Sequence, residues 1–199
     1  MIQVKKVVGN LLSSNMYIIS EEGSHDIWLV DIGDFVNLSF CLTDEQNVKG
    51  LFLTHSHFDH IGGILELKKS YPSCKVFTSE YGKEALASSK KNFSLYHESP
   101  MNYEGDDVCV VHEGDTVELF QGVNMNIIET PGHCPSCLTY YTDELIFTGD
   151  SYIPGVEVVT KLPKGNKADA EKSVERILEL AKTRTILAGH DPDKWESWI

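Results

Sequence analysis

Thr54-His55-Ser56-His57-Phe58-Asp59-His60-Ile61-Gly62-Gly63 sets three imidazoles and a carboxylate into six consecutive positions at the end of the apolar run Leu51-Phe52-Leu53. The apolar run reads as a buried strand. Gly62-Gly63 followed by Ile64, Leu65, Leu67 and Lys68 reads as the start of a helix, so the cluster falls on a strand-to-helix loop, where a rigid scaffold commonly places chemistry. So dense a set of ligand-type side chains has no packing rationale. Imidazole and carboxylate together suit zinc, iron or manganese. The i, i+2, i+4, i+5 spacing lets His55 and His57 point one way and Asp59 and His60 another, which suits two divalent ions about 3.5–4 Å apart.

Working outward, the N-terminal half alternates like strands at Val4 to Val8, Asn15 to Ser20 and Asp26 to Asp31, an antiparallel start. Asp31 closes the third strand before a glycine turn; it reads either as a partner that orients a ligand histidine or as a turn former. Beyond the histidine cluster the helix runs to about Ser70, a short strand spans Lys75 to Thr78, and Ser79 caps a helix through Ala85 to Ser88. Residues 89–107 are polar and aperiodic, a long loop carrying Phe93, Tyr96, His97, Met101 and Tyr103. It reads either as a binding wall or as a surface loop tucked down by its aromatics. Gly114-Asp115 marks a turn between strands, and Leu138–Tyr141 with Leu145–Phe147 forms a hairpin. Ala170, Val174, Ile177, Leu178 and Ala181 make one face of a helix over 168–181.

Four apolar strands each deliver a ligand-type residue just past their last position. Leu51–Leu53 leads to His55, Asn126–Thr130 to His133, Leu145–Phe147 to Asp150, and Thr185–Ala188 to His190. Ligands at the ends of several strands converge on one edge of a sheet. Gly132, Gly149 and Gly189 each precede the polar residue, as expected where backbone approaches a crowded centre. The set His55, His57, Asp59, His60, His133, Asp150 and His190 is enough for two metal sites sharing a carboxylate and keeping a position open, which means catalysis rather than scaffolding.

The ordered pattern His55-x-His57-x-Asp59-His60, His133, Asp150, His190, with Val30-Asp31-Ile32-Gly33 and Thr148-Gly149-Asp150, resembles the metallo-β-lactamase fold superfamily, in its glyoxalase II-like hydrolase branch, over nearly the whole chain. The resemblance implies an α/β four-layer αββα sandwich, two packed mixed β-sheets flanked by helices, in a single domain over residues 1–199. It implies that His55, His57 and His133 hold one metal, Asp59, His60 and His190 the other, and that Asp150 bridges. Two divalent ions, zinc first with iron or manganese as alternatives, acidify a water between them toward about 7 and polarise a carbonyl. That chemistry hydrolyses a small thioester or ester, with Asp59 also moving a proton.

Glyoxalase II enzymes carry an additional C-terminal helical segment that helps bind glutathione, whereas nine residues follow His190 here. The fold also hosts lactonases and mononuclear iron persulfide dioxygenases, and these are the alternative readings. A flavodiiron protein needs a flavin domain, and a nuclease needs an inserted domain and a basic face. The formal charge is −13 with two arginines, Arg176 and Arg184, which argues against a phosphate-backbone partner. No run reaches the length of a membrane span or forms a signal peptide, so the cytoplasm is expected. The five cysteines read as free thiols of a reducing compartment, and Cys134-x-x-Cys137 as a chance spacing rather than a redox pair or a zinc site. Tyr152, Lys161 and Lys164 are candidates for contact with a substrate anion, with surface placement favoured for both lysines.

Overall fold

The computed structural model describes residues 1–195. Ile2–Val8 (β1), Asn15–Glu21 (β2) and Asp26–Val30 (β3) pair antiparallel as the N-terminal alternation predicts. The sheet then changes sense: Asn47–Phe52 (β4), Lys75–Thr78 (β5) and Val108–Val110 (β6) continue it in parallel, giving the order β1-β2-β3-β4-β5-β6. Parallel neighbours need crossovers. These are supplied by Phe35–Ser39 (α1), by Phe58–Ile61 (α2) with Ile64–Ser70 (α3), and by Glu80–Leu86 (α4) with the long loop after it. Asp34 and Ser79 cap α1 and α4 by accepting from backbone N–H groups of the first turn.

The turn at Gly114 does more than join two strands. It hands the chain from the first sheet to the second, and Gly114 takes φ +88, which a side chain would disfavour. The second sheet has the order β11-β10-β9-β8-β7, built from Thr116–Phe120 (β7), Val123–Glu129 (β8), Leu138–Tyr141 (β9), Leu145–Gly149 (β10) and Thr185–Ala188 (β11). Its strands are antiparallel except β10 and β11, which run parallel around the crossover helix Lys167–Ala181 (α5). A last helical turn, Pro192–Trp195 (α6), follows.

The inner strands β2, β3 and β4 are apolar on both faces because both faces are covered. Ile18, Leu29 and Leu51 face the helices and join Leu38, Ile64, Leu67 and Leu86 in one cluster. Their neighbours Ile19, Trp28, Val30 and Phe52 face the second sheet, where Met125, Ile127, Leu138, Tyr140 and Phe147 meet them. At the centre of that inner layer Phe52 stacks on Phe77 at 4.8 Å, with Tyr140 at 5.1 Å and Trp28 at 5.7 Å. The polar ends of these aromatics find partners across the layer, since Trp28 Nε1 donates to Leu119 O and Tyr140 OH to Leu53 O, each at 2.9 Å. The four-layer αββα arrangement and the two mixed sheets expected from the sequence are present.

Helix α5 departs in detail from its expected face. Ala170 and Ile177 are buried, but Leu178 is exposed, one residue round the helix, and Ser173 completes the buried stripe by donating to Pro131 O at 2.7 Å. Apolarity alone overlooked a small hydroxyl that fits because it has a carbonyl to bond. Because Phe52 is fully buried at the meeting of three aromatic rings, Phe52→Ala is expected to lower stability by about 3–5 kcal/mol, read as a lower urea midpoint with an unchanged m value.

Candidate metal centre

Four strand ends open on the same edge of the two sheets. Leu53 N donates to Phe77 O at 2.9 Å, the last sheet-like bond of β4, and the chain then turns through His55, His57, Asp59 and His60, with the last two inside the single turn of α2. His133 follows β8, Asp150 follows β10 and His190 follows β11. All seven side chains are buried, with exposures of 6% or less.

Their ligand atoms fall into three overlapping groups, each within a 4.8 Å span: His55, His57 and His133; Asp59, His60 and His190; and His55, His60 and Asp150. His133 Nε2 lies 2.9 Å from His57 Nδ1. On the other side His190 Nε2 lies 3.3 Å and His60 Nε2 3.4 Å from Asp59 Oδ2. Asp150 stands between the groups and divides its oxygens, with Oδ2 3.6 Å from His133 and 4.0 Å from His55, and Oδ1 3.4 Å from His60 and 3.6 Å from His190.

Four of the five imidazoles turn a nitrogen away from these groups onto a fixed partner. His133 Nδ1 pairs with Val159 O at 2.8 Å, His190 Nδ1 with Leu12 O at 3.1 Å, and His55 Nδ1 with Thr54 Oγ1 at 3.2 Å. His60 Nδ1 pairs with Asp31 Oδ2 at 2.9 Å. Asp31 also accepts from Thr54 N and Thr54 Oγ1, each at 2.7 Å, and takes φ +57. Both readings of Asp31 therefore hold: it turns the chain and it orients a histidine. Ser136 Oγ accepts from Ser56 N at 3.1 Å, and Ser14 Oγ donates to Asp59 O at 2.6 Å, so the histidine loop is pinned from two further segments.

Sequence reasoning missed Leu12, Ser14, Ser136 and Val159. Leu12 and Val159 act through backbone carbonyls, so their side chains carry no signal. The glycine expectation is met at Gly189, where a Cβ would overlap Asp150 Oδ1, and at Gly149 (φ +50), where it would overlap Thr54. Gly132 is tight for another reason, because its Cβ would strike the Ala170 backbone of α5 rather than the centre.

The donor set fits divalent metal. His55 Nε2 and Asp150 Oδ1 are buried, face the shared space and have no hydrogen-bond partner, a cost that a cation between them removes. The charges around the site favour a cation too. Burial by itself would lower His60, yet Asp59, Asp150 and Asp31 outweigh it and hold the imidazole up at about 10. Burial, reinforced by the surrounding imidazoles, pushes His55 well below its ordinary value. Burial would raise Asp59, but His60 and His190 pull it below the usual carboxylate range.

A cleft of about 740 Å³ opens onto His57, Asp59, His133, Asp150 and His190. Phe93, Tyr96 and His97 form part of its wall, with His97 stacked on Phe58 at 3.6 Å, while Met101 and Tyr103 pack into the helix-side core. The loop over 89–107 is thus wall in its first half and anchor in its second. Lys161 lines the cleft; Lys164 sits over the Tyr81 ring at 4.6 Å, and Tyr152 is not among the lining residues. Cys134 and Cys137 are free, buried thiols with Sγ atoms 3.4 Å apart.

A family model described as the metallo-beta-lactamase superfamily matches residues 9–190. The chain belongs to that superfamily. Among curated proteins it is 30% identical over 141 residues to glyoxylase B2 of Dictyostelium discoideum, covering 69% of this chain and 48% of that protein. It is 28% identical over 179 residues to the hydroxyacylglutathione hydrolase of Psychromonas ingrahamii, covering 88% of this chain and 60% of that one. The chain therefore spans about half to three-fifths of the length of these relatives. Among solved structures it superposes on the BLEG-1 B3 metallo-beta-lactamase with a TM-score of 0.85 at 21% identity, covering 96% and 92% of the two chains, a likeness of fold.

Within this superfamily member Asp31 touches none of the space between the ligand groups, yet it fixes His60. Asp31→Asn is expected to weaken metal binding by about 10–100-fold, measured by competition with a chromophoric chelator, with the far-ultraviolet circular dichroism preserved.

Proposed function

We propose that the protein is a binuclear metal-dependent hydrolase of a small thioester or ester, similar in action to what the name hydroxyacylglutathione hydrolase says of its relatives. The observation that carries this reading is Asp150, whose two oxygens each face a different histidine group at the floor of one cleft. In the proposed assignment His55, His57 and His133 hold the first ion, Asp59, His60 and His190 the second, and Asp150 bridges them. Zinc is the expected metal, with iron or manganese compatible with the same oxygen and nitrogen donors. When bound, such a pair of ions generates a nucleophile from water near neutral pH and polarises the carbonyl to be attacked.

The chain's own residues supply position and proton handling. Asp59 lines the cleft, and because His60 and His190 hold it below the usual carboxylate range, a proton it takes as water adds is held weakly and passes readily to the departing group. His60 and His190 keep that carboxylate ionised and aimed. The carbonyls of Leu12 and Val159 fix the tautomers of His190 and His133, and burial of the floor keeps bulk water from screening the developing charge. The proposed single domain over 1–199 acts in the cytoplasm on a small molecule; among the described residues no helix is long and apolar enough to cross a membrane.

The test is hydrolysis of S-lactoylglutathione and p-nitrophenyl acetate by purified protein, with metal content determined on the same sample. About two metals per chain, turnover abolished by chelator and restored by metal, and loss of at least about 10³-fold in kcat for His57→Ala with the fold kept are the expected results. Chelator-insensitive turnover, or activity retained in the His57→Ala variant, contradicts the assignment. A single iron per chain with no hydrolysis points instead to persulfide oxygenation.

A further inference from the structure

The walls of the cleft above the candidate centre come from distant segments, yet they share one chemistry. Phe58, Phe93, Tyr96, Val158, Leu162 and Pro163 all line it. At its mouth Tyr96 is 66% and Leu162 39% exposed, and the neighbouring Leu95 is 49% exposed, so apolar surface is held open to solvent where folding alone would cover it. Charge is sparse on these walls. Glu157 lies 3.6 Å from Lys167, and Lys161 has no ion-pair partner among the described residues.

A glutathione moiety brings two carboxylates, an ammonium and two peptide groups. Seated here it would meet mainly apolar walls, with Lys161, Glu157, His97 and Thr160 as the polar side chains beyond the floor, leaving several of its polar groups without partners. An alkyl chain, by contrast, loses only unfavourable contact with water. We propose that this cleft selects esters or thioesters whose acyl group is an apolar chain of medium length, with Lys161 available to a single negative charge near the mouth. The inference rests on the hydrolase reading above and names its substrate class. The reaction is plain hydrolysis: the oxygen of water forms a bond to the acyl carbon, the C–O or C–S bond breaks with its electron pair going to the leaving group, and the proton of water follows it.

The experiment compares kcat/KM for p-nitrophenyl acetate, butyrate, hexanoate and octanoate with that for S-lactoylglutathione, using the zinc-loaded protein below the critical micelle concentration of each ester. We expect kcat/KM to rise about tenfold or more from acetate to octanoate, chiefly through KM, and the octanoate value to exceed that for S-lactoylglutathione. Leu162→Asp, a change at an exposed loop position, should cut the octanoate-to-acetate ratio about fivefold or more with the far-ultraviolet circular dichroism unchanged. A flat or falling series, or S-lactoylglutathione preferred over every ester, overturns the inference and leaves the hydrolase standing. Failure of the zinc-loaded protein to hydrolyse any of the five substrates overturns both.

Discussion

The buried carboxylate of Asp31 holds the histidine loop to the sheet. It closes β3 in a left-handed conformation, accepts two bonds from Thr54 and one from His60, and so fixes both the direction in which the chain leaves β4 and the orientation of an imidazole six residues later. Bonds to a buried charged acceptor are each worth about 1.5–3 kcal/mol net, more than enough to offset a strained φ on one non-glycine residue. Thr54 also pairs with His55 and packs against Gly149, so the same small network reaches the strand end that carries Asp150. Remove that carboxylate and two strand ends lose their common reference.

Fixing the loop matters because the centre is electrostatically expensive. Asp31, Asp59 and Asp150 are buried within reach of five imidazoles; His60 is held up by surrounding carboxylates while His55 is driven down by burial and neighbouring rings. Neighbouring groups of one kind are thus pushed in opposite directions within one cavity. The close-packed aromatic layer of Phe52, Phe77 and Tyr140 braces the strand end, with Tyr140 OH donating to Leu53 O at 2.9 Å just before the loop. A cation between Asp150 and the histidine groups would satisfy the orphaned atoms of His55 and Asp150 together.

The strand ends and the seven polar residues were legible because each signal is local: an apolar run, then a ligand-type side chain. The αββα layering was legible through resemblance, and the paired apolar faces of β2, β3 and β4 explain it, since strands with no polar face must be covered on both sides. What the sequence concealed acts through the backbone or through partners far along the chain. Leu12 and Val159 contribute carbonyls that any residue would offer, Ser173 is buried only because Pro131 O waits for it, and Gly132 is required by Ala170 rather than by the histidine beside it. The Gly114 turn reads as an ordinary connection, and only the tertiary structure reveals that it passes the chain between sheets.

Chemistry and selectivity are therefore built on different parts of the chain. The ligand groups sit at strand ends fixed by the core, where a small displacement would separate Asp150 from one histidine group or the other. The walls above them come from the loop over 89–107 and from residues 157–163, which lie on the surface, carry few hydrogen bonds to the sheets and bear exposed apolar side chains. Met101 and Tyr103 anchor the first of these loops in the helix-side core, while Phe93 packs on the His57 ring at 5.0 Å and Tyr96 stands 66% exposed. The two parts meet where Val159 O holds His133 Nδ1 at 2.8 Å, so the second wall also steadies the floor through its backbone. Whatever acyl group the proposed chemistry meets, it meets the side chains of these two loops before it meets the floor.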